Sequence, residues 1–202
     1  MIAVVDYGVG NLFSLCSSFK KIGADVVVTS DKKVIERADR ILLPGVGAFA
    51  DAAKKLKETG LGEVIKEQAK KGKMIMGICL GMQLLFEKSY EYGEYEGLGL
   101  IKGKVVPMKG YVSDGLKVPH IGWNGLHFTK KHFLFDGVKE GDCVYFVHSY
   151  FATDCDESVI ALTEYDKYLT AAVASGNVMG CQFHPEKSGD AGLAILRAFC
   201  GV

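Results

Sequence analysis

The chain has 202 residues, and its 24 Lys+Arg balance 24 Asp+Glu to a formal net charge of zero. That balance leaves no electrostatic footprint for nucleic acid or an anionic membrane, and no apolar stretch approaches the ~18 residues of a membrane span. The six cysteines, at 16, 79, 143, 155, 181 and 200, form no C-x-x-C pair. They read as reduced cytosolic thiols, so a cytoplasmic protein without a disulfide framework is expected.

Met1-Ile-Ala-Val-Val-Asp6 carries no basic region and no cleavage-like site, so no signal peptide is expected. No histidine stands at zinc-site spacing with a cysteine, and neither a metal nor a cofactor is expected. Ile2 to Asp6 reads as a buried strand. Tyr7-Gly-Val-Gly10 turns it, Asn11 caps a helix running to about Ile22, and Gly23 stops that helix. The glycines fall short of a dinucleotide fingerprint because position 13 is Phe, so the loop reads as a tight turn.

Asp25 to Val28 predicts a second strand, Lys32 to Arg37 a short helix, and Arg40 to Leu43 a third strand ending in Pro44-Gly-Val-Gly47. Helical patterns fill Ala48 to Lys57 and Leu61 to Lys70. Met74 to Ile78 is a continuous apolar run that suits a strand buried on both faces. Beyond it the spacing becomes helical, with Met82, Leu85 and Phe86 on one side. This alternation predicts a parallel sheet with helices on both faces and ligands at the carboxyl ends of its strands.

Ser89 to Gly99 is charged, aromatic and Gly-punctuated, and reads as a surface excursion. Further β-like segments cover 99–108, 116–119, 126–128, 144–151, 159–165 and 169–174, with a hairpin turn at Asp166-Lys167. Asn177 to His184 predicts another strand and Gly189 to Phe199 a closing helix. With no linker or repeat, residues 1–202 read as a single domain whose later strands extend the first sheet.

Cys79 stands at the strand-to-helix switch between Gly77 and Gly81. Gly-x-nucleophile-x-Gly is the nucleophile-elbow spacing: the sharp turn strains the backbone, and side chains two positions away would collide. The turn aims the sulfur at a helix N-terminus, where the dipole favours thiolate. A small core residue between tight-packing glycines is the competing reading. His184 and Glu186 are two apart at a strand end, and extended backbone places such residues on one side. A carboxylate there can hold one imidazole nitrogen and leave the other for a nucleophile, which completes a Cys-His-Glu triad.

Six motifs carry a resemblance along nearly the whole chain: Asp6-Tyr-Gly-Val-Gly-Asn11, Leu43-Pro-Gly-Val-Gly-Ala-Phe49, Gly77-Ile-Cys-Leu-Gly-Met-Gln83, Pro119-His-Ile-Gly-Trp-Asn124, Tyr145-Phe-Val-His-Ser-Tyr150 and Gln182-Phe-His-Pro-Glu-Lys-Ser188. The chain resembles the class I (triad) glutamine amidotransferases and, within them, the glutaminase subunits of imidazole glycerol phosphate synthase. The resemblance implies a flavodoxin-like, three-layer α/β/α fold whose mainly parallel central sheet is extended by antiparallel strands. It also implies that L-glutamine is hydrolysed through a glutamyl thioester on Cys79, with His184 as proton carrier and Glu186 as its support.

The Leu80 N–H and the loop at Val46 and Gly47 would serve the oxyanion. Gln83, Ser149 and Tyr150 would hold the amino-acid end of glutamine, with His148 a substrate-shaping residue. Ammonia would pass to a (β/α)8-barrel cyclase subunit in a heterodimer, contacted through Asn11, Trp123, Asn124, Tyr145 and Lys187. Trp123 as a core residue is the competing reading. That subunit would make imidazole glycerol phosphate and AICAR from PRFAR in histidine biosynthesis. Three alternatives stay open: an amidotransferase serving another synthase, such as a surface-sugar paralogue; a non-catalytic homologue that only binds a partner; and a Cys hydrolase of another α/β family.

Overall fold

Residues 1–201 are described by the computed structural model; Val202, the last residue of the expected domain, lies outside them. The first half alternates strands and helices: β1 (Ile2–Val5), α1 (Leu12–Lys21), β2 (Val26–Thr29), α2 (Lys32–Arg37), β3 (Arg40–Leu43), α3 (Phe49–Thr59), α4 (Leu61–Lys70), β4 (Met74–Ile78) and α5 (Leu80–Leu84). Ten strands and one helix follow: β5 (Phe86–Ser89), β6 (Tyr95–Glu96), β7 (Ile101–Pro107), β8 (His120–Gly125), β9 (His127–Phe128), β10 (Cys143–His148), β11 (Tyr150–Thr153), β12 (Val159–Tyr165), β13 (Lys167–Ser175), β14 (Val178–Cys181) and α6 (Gly189–Cys200).

The central sheet runs β2-β1-β3-β4-β14-β13-β12-β9. Its first five strands are parallel, and β13, β12 and β9 continue it antiparallel. Successive side chains of its parallel strands point to opposite faces, and both faces are covered, which is why these strands read as unbroken apolar runs. Ala3, Val5, Ile41, Leu43 and Ile75 pack with Ile35, Phe49, Leu56 and Ile65 of α2, α3 and α4. Val4, Leu42, Met76 and Met179 pack on the other face with Leu15 and Phe19 of α1 and Ile195, Leu196 and Phe199 of α6. This is the three-layer arrangement expected.

Asn11 caps α1 as predicted, its side chain accepting from the Ser14 N–H. Several expectations need correction. Phe86 is not helical. α5 stops at Leu84, and the Leu85 carbonyl accepts from the Leu100 and Ile101 N–H groups, which starts β5. The 89–99 segment is therefore not a plain excursion, since it contributes the end of β5 and all of β6. No strand covers 116–119; the strand begins at His120 instead. Residues 144–151 divide at Ser149 because β10 pairs with β8 while β11 pairs with β7. These pairs belong to separate sheets, β10-β8 and β11-β7-β5-β6, so only β9, β12, β13 and β14 of the later strands extend the central sheet. The last strand ends at Cys181, before His184.

The topology positions the site. β4 lies between β3 and β14, and all three end at the same edge. The residues that follow them are therefore neighbours: Pro44-Gly-Val-Gly47 on one side of Cys79 and Gln182-Phe-His184 on the other. No helix among the described residues is long and apolar enough to cross a membrane.

Phe199 is fully buried between α6 and the sheet. Phe199→Ala should lower unfolding stability by about 4 kcal/mol, measured by chemical denaturation.

Candidate active site

Cys79 has φ 54° and ψ −113°, a conformation that non-glycine residues avoid and that an elbow requires. Two glycines permit it. A Cβ on Gly77 would lie 2.5 Å from the Gly81 carbonyl oxygen, and one on Gly81 would lie 1.9 Å from the Leu43 carbonyl oxygen. The Cys79 N–H donates to the Cys181 carbonyl at 2.8 Å, which joins the elbow to the end of β14. The Leu80 N–H heads α5, where helix geometry offers no intrahelical acceptor.

His184 and Cys79 line one cavity of about 340 Å³. The His184 Nδ1 is 2.8 Å from Glu186 Oε1, and both side chains are almost wholly buried. The extended-strand rationale for this pair fails: Pro185–Lys187 form a 3-10 turn, and it is the turn that swings Glu186 back under the ring. The backbone around His184 is pinned. Its N–H donates to the Tyr145 carbonyl, and its carbonyl accepts from Ser188 Oγ, which itself accepts from the Tyr145 N–H. With Nδ1 directed at the carboxylate, Nε2 is left for the sulfur. Burial pulls the His184 pKa down, but hydrogen bonds and charge from Cys79 and Glu186 outweigh it and push the value to about 9.

Every predicted oxyanion and substrate residue lines this cavity: Val46, Gly47, Leu80, Gln83, Ser149 and Tyr150. Gln83 donates to the Tyr150 carbonyl at 3.2 Å and to Gln182 Oε1 at 3.0 Å. Gln182 Nε2 in turn lies 3.6 Å from Cys79 Sγ. His148 also lines the cavity, with Nδ1 directed at the Tyr150 carbonyl and away from Cys79, which fits a shaping role.

A family model for class I glutamine amidotransferases matches residues 3–200. The chain belongs to this family. It is 54% identical over 201 residues to the imidazole glycerol phosphate synthase subunit HisH of Sulfurimonas denitrificans, covering 98% of this chain and 97% of that one. It is 48% identical over 205 residues to the subunit of the same name from Geobacillus thermodenitrificans, covering 100% and 96%. Among solved structures, a crystal structure of a glutamine amidotransferase superposes with a TM-score of 0.77 at 20% identity over 100% of both chains, a likeness of fold.

Three polar side chains at or beside the cavity of this amidotransferase were not expected from the sequence. Glu91 and Tyr92 line the cavity from the segment after β5. Glu91 Oε2 accepts from the Phe49 N–H at 2.7 Å, capping α3, whose own N-cap residue Ala48 has no side chain for the task. Burial pushes the Glu91 carboxyl up. Tyr92 meets Tyr150 edge to face. Gln182 is the third, and its place immediately before Phe183 and His184 in the motif was the available signal.

Of the expected interface residues, Trp123 is 54% exposed and meets Tyr145 edge to face across the β8–β10 pair, with the Lys187 ammonium over the Tyr145 ring. Asn11 is exposed at the head of α1. Asn124 turns inward, bonding His120 and the Glu164 carbonyl. A larger cavity of about 590 Å³ lies between α3, α4 and β6, away from the thiol.

Because the His184 pKa is raised on folding, protonation of His184 favours the folded state. That contribution is complete below the ordinary value of 6.5 and is lost as pH rises through about 9. Glu186→Gln should remove part of it, so the stability gap between wild type and variant should narrow as pH is raised through about 9 in urea titrations.

Proposed function

We propose that this chain is the glutaminase subunit of an imidazole glycerol phosphate synthase, a single amidotransferase domain acting in the cytoplasm. The observation that carries the reading is the convergence of Cys79, the Glu186-held His184 and the Leu80 N–H on one cavity. The names of full-length relatives near 50% identity support it.

In the proposed reaction Cys79 passes its proton to His184 and attacks the side-chain amide carbon of L-glutamine. The tetrahedral oxyanion takes the Leu80 N–H and a donor from the Val46–Gly47 loop. His184 returns the proton to the departing nitrogen, the C–N bond breaks, and a glutamyl thioester and ammonia result. Water, deprotonated by His184, then releases glutamate. Glu91 supplies the carboxylate for the substrate ammonium, beside Gln83, Ser149 and Tyr150. Ammonia passes to a (β/α)8-barrel cyclase subunit, docked over the face holding Asn11, Trp123, Tyr145 and Lys187. Exposed aromatic rings beside a cation suit such an anchor. Asn124 serves that face from behind, through its internal bonds.

Cys79→Ala should abolish glutamine-dependent synthesis by the two-subunit enzyme and leave synthesis from added ammonium salt intact, both read from cyclase product formation. Loss of the ammonia reaction as well would reduce the chain to a scaffold. Glu91→Gln should raise the KM for glutamine about tenfold, the scale of one lost charge-assisted bond. Unchanged steady-state kinetics would remove Glu91 from the ammonium site.

A further inference from the structure

A line of hydrogen bonds, buried at its centre, runs from β12 to the cavity wall, and it does not close with neutral side chains. Asn124 Nδ2 donates to the Glu164 carbonyl at 2.9 Å, which directs Asn124 Oδ1 at His120 Nε2, 2.8 Å away. His120 Nε2 must therefore carry a hydrogen. At the other end His148 Nδ1 lies 2.9 Å from the Tyr150 carbonyl and must carry one too. Between them, His120 Nδ1 and His148 Nε2 are 3.1 Å apart. Two neutral rings would then set lone pair against lone pair at hydrogen-bond distance. One further proton turns that junction into a charge-assisted bond.

We propose that His120 and His148 hold a single proton between them, and that the pair, oriented by Asn124, positions the Val147–Tyr150 wall of the glutamine pocket. His148 and that wall line the cavity with Cys79, and the Tyr150 carbonyl that receives His148 also receives Gln83. The pair thus fixes the backbone on which the substrate residues sit. His120 also stacks on Tyr165, with centroids 4.0 Å apart, and on Phe146, at 5.1 Å. Aromatic faces favour an imidazolium.

Opposing forces limit the pH range of the arrangement. Burial pushes both rings down, His148 to about 4, and His184 across the cavity adds repulsion when charged. The other titratable groups facing the pair are the Cys79 thiol, the Glu91 carboxyl and the Tyr92, Tyr150 and Tyr165 phenols; the Glu164 carboxylate is exposed. The proton is therefore lost as pH rises. Its loss obliges one end to give way: Asn124 turns its amide toward His120 and breaks the bond to Glu164, or His148 moves its hydrogen to Nε2 and breaks the bond to Tyr150.

The positioning half rests on the glutamine reading; the shared proton does not. The test for the proton is nuclear magnetic resonance of the full chain carrying isotope-labelled histidine. Near pH ~6 the two rings should show one strongly downfield shared N–H, absent in His120→Asn and in His148→Gln. Raising the pH should remove that signal and, together with it, shift either the Asn124 side-chain amide or the His148 ring nitrogens. Two neutral rings down to about pH 5 would overturn the shared proton.

Positioning is read as the Kd for L-glutamine in the Cys79→Ala background. His120→Leu should weaken binding about tenfold, the scale of one buried hydrogen bond. His120→Asn, which keeps an N–H donor toward His148, should recover most of it. Equal affinity in all three would sink the positioning role, whereas no glutamine binding by Cys79→Ala itself would sink the glutamine reading and leave the resonance result to decide the pair.

Discussion

The close approach of Gly81 to the end of β3 is the constraint on which the site depends. The space left for a Cβ there is filled by the Leu43 carbonyl, and the same is true of Gly77 against Gly81. Only with both positions bare can β4 turn into α5 fast enough to leave Cys79 at positive φ with its sulfur over the sheet edge. Such a backbone costs about 1–3 kcal/mol, and it persists because its surroundings over-determine it. Here β4 is paired on both sides, and the Cys79 N–H is held by the carbonyl of Cys181.

The same pairing explains why His184 and the Pro44–Gly47 loop need no special devices to reach Cys79. Parallel neighbours end at one edge, so the residues leaving β3, β4 and β14 meet there. What does require a device is the His184–Glu186 pair. The carboxylate is buried and its second oxygen finds no partner among the described residues. A buried carboxylate left half-satisfied is tolerable only beside a cation. That is consistent with an imidazole held well above its ordinary value.

The sequence was most legible where burial was complete. β1, β3 and β4 are buried apolar runs, β2 is an apolar edge strand, and the limits of all four and of α1, α2 and α4 follow to within a residue or two. β8 was invisible for a converse reason. Its outward residues include Ile121 and Trp123, both exposed, while of its inward ones Gly122 is bare and His120 and Asn124 bond each other. The alternation is apolar-out and polar-in, the reverse of what pattern reading seeks. The triad was legible because each member sits in a short motif. The geometric reason offered for His184 and Glu186 was nevertheless mistaken, since Pro185 opens a 3-10 turn rather than ending a strand. Glu91 and Tyr92 left no trace, being an acid and an aromatic in a segment rich in both.

The walls of the cavity differ in how firmly they are held, and the difference bears on control. Cys79, Gln83, His148 and His184 are buried and cross-bonded through Gln182, Tyr145 and Tyr150. The opposite walls are looser. Val46 is 38% exposed, Gly47 has nothing near its open side, and Tyr92 is 88% exposed. In the proposed reaction Cys79 and His184 are fixed in place and face a loop with little packed against it. The strand that carries Trp123 also carries His120 and Asn124, so a partner pressing on β8 acts on the firm wall directly. It reaches the loose wall only across the cavity, through whatever occupies it.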